Sequence, residues 1–194
     1  MLATPTTRDP QTMAGSPIPL QRIRRLSLLL AHTCLAFTVV LPFLVVGYWL
    51  IADAAQLAAH AKLAGLQIDH ALALWQRQAG AAITLIPLGL LLTGLWHVRR
   101  CFLLFADGRY FELQAIHSLR RFAACTCASV VASLFSTPAL SVLLTISNAP
   151  GQRQLAIGVS SEQLFTLFIA GMVWLIAAVM THACALAEEN AGFV

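Results

Sequence analysis

Hydrophobic residues along this chain do not alternate with polar ones. They gather in four long runs, Leu26 to Ala52, Ala79 to Val98, Phe122 to Ile146 and Leu164 to Ala187, none of which contains an Asp, Glu, Lys or Arg. A helix needs about 20 consecutive apolar residues to cross a bilayer, so each run is long enough to span. Lipid offers no partner for backbone N–H and C=O groups, which forces such runs to be helical. The pattern therefore predicts an all-α integral membrane protein with four transmembrane helices. A soluble four-helix bundle would carry a polar face on each helix, and these runs have none.

Arg22, Arg24 and Arg25 precede the first run and Ala52-Asp53-Ala54 follows it, which imitates a signal peptide with its cleavage site. Signal cores extend over only about 7 to 15 apolar residues. The first run exceeds that, and a retained helix is expected. Residues 1–20 hold four of the eight prolines with several Ser and Thr, the composition of a disordered tail. Residues 21–194 then form a single membrane domain.

Charge adds an orientation. Four Lys or Arg residues precede the first span (Arg8, Arg22, Arg24, Arg25) and five lie between the second and third (Arg99, Arg100, Arg109, Arg120, Arg121). Lys62, Arg77 and Arg153 fall in the other two loops, and none follows the last span. Nine against three places both termini in the cytoplasm by the positive-inside rule. The net charge of +4 needs no nucleic acid to explain it, since the arginines can meet anionic headgroups at about 1 kcal/mol each.

The segment from Arg99 to Phe122 is more ordered than a charged linker requires. The second helix is expected to continue through Phe105 and to end at Asp107-Gly108, where glycine suits the residue beyond a helix terminus. A new helix should begin near Phe111, with Leu113, Ile116, Leu119 and Phe122 on one face. This predicts a cytoplasmic helical hairpin half sunk in the membrane interface. On the opposite side, Asp53 to Gln78 suggests short amphipathic helices, and Trp49 and Trp75 suit an interfacial aromatic belt. Leu155, Ile157 and Val159 alternate at strand period after the turn Asn148-Ala149-Pro150-Gly151. A small external cap with a short β element is expected, in which that strand pairs with Leu66 to Asp69.

Candidate chemistry is sparse. His32 with Cys34, His97 with Cys101, Cys125 with Cys127, and His182 with Cys184 all fall in the cytoplasmic halves of their helices, which raises a metal or haem site as one alternative. Residues two apart on a helix point to different sides, so only His97 and Cys101 share a face, and His32 and His182 complete the weak candidate set. No cofactor is expected. Thr126, Ser129, Ser133, Ser136, Thr137, Ser141 and Thr145 form a polar stripe on the third span, read as packing glue between helices or, alternatively, as the lining of a small-solute transporter or channel. All four spans lack the charged residues that mark ion pathways. Phosphate-binding, hydrolase and zinc-protease motifs are missing, so an enzyme is not expected.

Glu188 and Glu189 occupy the C-terminal end of the fourth helix, where the dipole disfavours anions. The arginines of the inner loop lie on the same side, and at least one is expected to pair with them. Together with Gly108-Arg109-Tyr110-Phe111, Ser118-Leu119-Arg120-Arg121 and the closing Gly192-Phe193-Val194, this stretch resembles a family of bacterial four-span membrane proteins. That family is classed as a domain of unknown function and often encoded beside a small Xre-type helix-turn-helix regulator. Ala115 and Ala123 depart from its pattern, standing where Asn and Gly are usual. The resemblance implies the four-span topology, a bacterial inner membrane and a soluble helix-turn-helix regulator as partner, with no established chemistry; Gly108, Phe111, Leu119, Arg120, Arg121, Glu188 and Glu189 are the candidate structural or interaction residues. The expected function is regulation or interaction at the membrane, with lipids as the other partner; the sequence sets no oligomeric state.

Overall fold

The computed structural model describes residues 20–53, 56–57, 72–108, 113–148 and 155–191, with side chains from 21 to 185. Four helices account for nearly all of it: α1 (Leu20–Ile51), α2 (Leu74–Ala106), α3 (Leu113–Thr145) and α4 (Ser161–Ala191). All four are long and apolar enough to cross a membrane. Each extends beyond its uncharged run, because the flanking polar residues are helix formers that reach past the apolar zone. After Gly108 the next helix is described from Leu113 onward, and the expected start near Phe111 lies outside the described residues. Asp107 closes α2 by donating its backbone N–H to Leu103 and Leu104. Gly108 follows at φ +80°, a conformation that costs a residue without Cβ little.

Among the described residues, extensive packing joins neighbours in sequence: α1 against α2, α2 against α3 and α3 against α4. Among the described residues α1 and α4 do not pack extensively on each other, so the bundle is an open arc with α2 and α3 at its centre. Burial follows this order. Only 11% of the most apolar stretches of α1 and α4 is buried, against 22% and 28% for α2 and α3. Phe43, Phe135, Phe165 and Phe168 point outward, the arrangement expected where lipid is the solvent.

Small residues set the helix seams. α1 turns Ser27, Ala31 and Cys34 inward, and α4 turns Ala170 and Ala177 inward, which lets backbones approach closely. α2 meets α3 at Gly94, where an added Cβ would lie 3.0 Å from the Cβ of Cys125. The main apolar cluster sits at one end of the arc, where Trp49, Ala52, Leu57, Leu72, Ala81, Leu140 and Leu144 pack together.

Two expectations are corrected here. Residues 155–160 carry no regular secondary structure, and no strand occurs among the described residues. The segment is held by the Ala156 N–H donating to Ser141 Oγ at 3.1 Å, so a side chain supplies what a strand partner would have. Trp49 does not lie in an aromatic belt: it is 3% exposed, whereas Trp75 is 53% exposed. The proposed partner segment Leu66 to Asp69, the tail 1–19 and most of the loop after α1 lie outside the described residues, as do residues 109–112 of the predicted hairpin.

Candidate functional site

The end of the arc that carries the apolar cluster is tied together by side chains reaching backbone. Gln76 is 1% exposed. Its Oε1 accepts the Ala73 N–H at 2.9 Å, and its Nε2 donates to the Leu143 carbonyl at 3.1 Å and to Ser147 Oγ at 3.2 Å. One amide thus caps α2 and joins it to the end of α3. Next to it, Arg77 Nη1 donates to the carbonyls of Trp49, Leu50 and Ala52 at 2.9 to 3.2 Å, satisfying acceptors that the end of α1 leaves open. At the start of α4, Ser160 and Gln163 bond reciprocally: the Ser160 N–H donates to Gln163 Oε1 at 2.9 Å and the Gln163 N–H to Ser160 Oγ at 3.3 Å. This is a capping box.

Just inside these ties lies a cavity of about 560 Å³ that draws on every helix, within the usual range of about 300 to 1,000 Å³ for small-molecule sites. Trp49 comes from α1, Thr84 and Pro87 from α2, Ser129, Ser133, Ser136 and Thr137 from α3, and Gln163 and Thr166 from α4. The wall contains cross-helix bonds: Trp49 Nε1 donates to Thr84 Oγ1 at 3.2 Å, Ser129 Oγ to the Pro87 carbonyl at 2.7 Å, and Gln163 Nε2 to Ser133 Oγ at 2.8 Å. The α3 hydroxyl stripe is therefore glue and lining at once. Thr84, Ser133, Ser136 and Thr137 donate their protons to carbonyls three or four residues back; Thr84 and Ser133 also accept from Trp49 and Gln163, so the oxygens of Ser136 and Thr137 are the lining groups best placed to accept from a solute. Glu162 also borders it, while no described lining residue is Lys, Arg or His. Such a wall can accept hydrogen bonds from a small polar solute.

The sequence-predicted residues are scattered elsewhere. His97 is half-buried and Cys101 is buried on one face of α2; His32 and His182 are exposed on α1 and α4. The His32 Nδ1–H donates to the Leu28 carbonyl at 2.7 Å. Among the described residues no group of three His, Cys, Asp or Glu converges in metal-binding fashion. All five cysteines are free thiols. Leu119 is half-buried on α3, and Ala115 and Ala123 are buried. Phe111 and the side chains of Glu188 and Glu189 lie outside the described residues, and with them the expected arginine–glutamate pair.

Arg120 and Arg121 part company. The Arg120 guanidinium stacks over Trp174 of α4 at 5.1 Å, while Arg121 lines a second cleft between α2 and α3. Sequence reasoning missed Gln76, Arg77 and Gln163. For Gln163 a signal was present, since Ser160-Ser161-Glu162-Gln163 ahead of an apolar run is a capping-box signature.

The fold and this wall define a class: a multi-pass, all-helical membrane protein with a cavity of mixed apolar and hydroxyl lining between its spans. Comparison adds no closer identity, as no family model, curated protein or solved structure matches the chain.

Proposed function

We propose that the chain is a bacterial inner-membrane protein with both termini cytoplasmic, which binds a small polar solute in the hydroxyl-lined cavity and conveys its presence to a cytoplasmic partner. One observation carries this reading: Thr84, Ser129, Ser133, Ser136, Thr137 and Gln163, from three helices, converge on a single space between otherwise apolar spans. Helix glue alone requires contacts between polar groups, not a space beside them. The arginine distribution supports the orientation, which directs the cavity to the external side. The sequence motifs around Gly108 and at the C-terminus support a soluble helix-turn-helix regulator as partner, and a half-sunk hairpin at the inner ends of α2 and α3 as its docking point.

The test is thermal unfolding of the full chain in mild detergent across a panel of amino acids, polyols and small amines, repeated with Ser136→Ala and Thr137→Val. A solute that raises Tm for the wild type and fails to do so for the variants supports the reading; no shift with any solute sinks it. The absence of charged side chains inside the uncharged runs favours reception over ion transport. Reconstituted vesicles that accumulate the same solute would reverse that preference. Purification from the native host with a helix-turn-helix protein attached tests the partner.

A further inference from the structure

A second cleft, of about 650 Å³, opens at the other end of the arc between α2 and α3. Its two walls are regular. Arg100, Leu103 and Leu104 come from α2 with Asp107 just past its end, and Gln114, His117, Ser118 and Arg121 from α3. Each set follows the spacing i, i+3, i+4, i+7, so each is one helix face, and the two faces confront each other across the gap.

The arginine pairs explain how the cleft acquires its charge. Arg99 stacks over the Trp96 ring at 5.3 Å and Arg120 over the Trp174 ring at 5.1 Å. Their neighbours Arg100 and Arg121 line the cleft instead, together with one described carboxylate, that of Asp107. In each adjacent pair one guanidinium is held by an indole and the other is presented to the cleft. Two guanidinium groups, an imidazole and the Gln114 amide in the first turn of α3 outnumber the single Asp107 carboxylate among the described lining residues, and the positive end of the α3 dipole offsets the negative end of α2. Leu103 and Leu104 supply an apolar floor.

We propose that this cleft binds a phosphate group, gripped by Arg100 and Arg121. Guanidinium forks match phosphate oxygens in pairs. The group can arrive on a phospholipid, whose glycerol and acyl region would rest on the two leucines, or as free inorganic phosphate. This inference stands apart from the solute cavity, with which the cleft shares no lining residue.

Native mass spectrometry of the full chain in neutral detergent tests it, with phosphatidylglycerol and, separately, inorganic phosphate as probes. The Arg100→Gln/Arg121→Gln variant is expected to retain phosphatidylglycerol about thirtyfold less well than wild type, from about 1 kcal/mol per arginine. The Arg22→Gln/Arg24→Gln variant is expected to retain it fully. Both arginines in the cleft are exposed, so the fold should survive their loss; the charge-preserving Arg100→Lys/Arg121→Lys variant is a second check and should fall between. Lipid that excess inorganic phosphate does not displace identifies the lipid as the source, and displacement identifies free phosphate as sufficient. Equal retention by wild type and the glutamine variant, or full retention by the lysine variant, would overturn the proposal, since either indicates diffuse surface charge instead of a site.

Discussion

Gly80 of α2 lies against the indole of Trp49 so closely that a Cβ at position 80 would overlap the ring, with Cε3 only 2.7 Å away. The indole cannot retreat cheaply, being 3% exposed and held by its Nε1 bond to Thr84. Two effects of Gly80→Ala therefore oppose each other. Alanine favours the helix by about 1 kcal/mol, while overpacking a tight site costs about 1 to 3 kcal/mol. The clash should win, and Gly80→Ala is expected to lower Tm in detergent. Gly89 on the same helix has open space around it, so Gly89→Ala should leave Tm unchanged or raise it. The same direction of change for both substitutions would mean that the Trp49 contact does not control this seam.

Gln76 should be among the least replaceable side chains. Its amide fills a donor and an acceptor role at once, accepting from Ala73 and donating to Leu143 and Ser147. Gln76→Ala removes the partner of groups at the start of α2 and the end of α3; Leu143 is half-buried while Ala73 and Ser147 are exposed, so the expected loss is near the lower end of about 1 to 3 kcal/mol. Gln76→Glu preserves shape and is expected to be no better, because a carboxylate cannot donate to the Leu143 carbonyl. Tm measurements on both variants check this; a glutamate that behaves like the wild type would refute the donor role.

At the end of α1, Arg77 acts as a cap supplied from another helix. Its positive charge sits where the α1 dipole is negative, and its Nη1 reaches three carbonyls. Arg77→Met keeps much of the apolar stem and removes the charge and the donors, with an expected loss of about 1 to 3 kcal/mol. Arg77→Lys should recover part of that through a single ammonium. A lysine variant no more stable than the methionine one would indicate that fork geometry, not charge, closes the helix.

How much of this was legible beforehand depends on the range of the interaction. The four apolar runs are local and written in composition, and the structure places a long helix over each. Gly108 after Asp107 is likewise a local signal, and α2 ends there. Trp49 was unreadable in a different way: its position near a span end fits a belt, and only the absence of a side chain at Gly80, 31 positions away, turns it into the core. The same holds for Gln76 and Arg77, which look like loop polarity until the ends of α1 and α3 are set beside them. The alternation at Leu155, Ile157 and Val159 misled because period two is only a permission; a strand needs an edge to pair with, and Ser141 Oγ satisfies the Ala156 N–H instead. The α3 hydroxyl stripe was visible, but a helix wheel cannot show whether the facing surface is filled or empty.

Orientation is the prediction on which the direction of both clefts depends. Arg100 and Arg121 belong to the loop that holds five of the twelve Lys and Arg residues, so the phosphate cleft and the solute cavity must open on opposite sides whichever way the chain inserts. The positive-inside rule assigns the arginine-rich side to the cytoplasm. Alkaline phosphatase fused after Val194 is then expected to be inactive and a fluorescent protein at the same position to be bright, with the reverse for insertions at Gly158, which has open space around it. An active phosphatase at Val194 would exchange the two faces. The solute cavity would then read the cytoplasm, and the phosphate cleft would meet the outer leaflet, where a regulator inside the cell could not reach it.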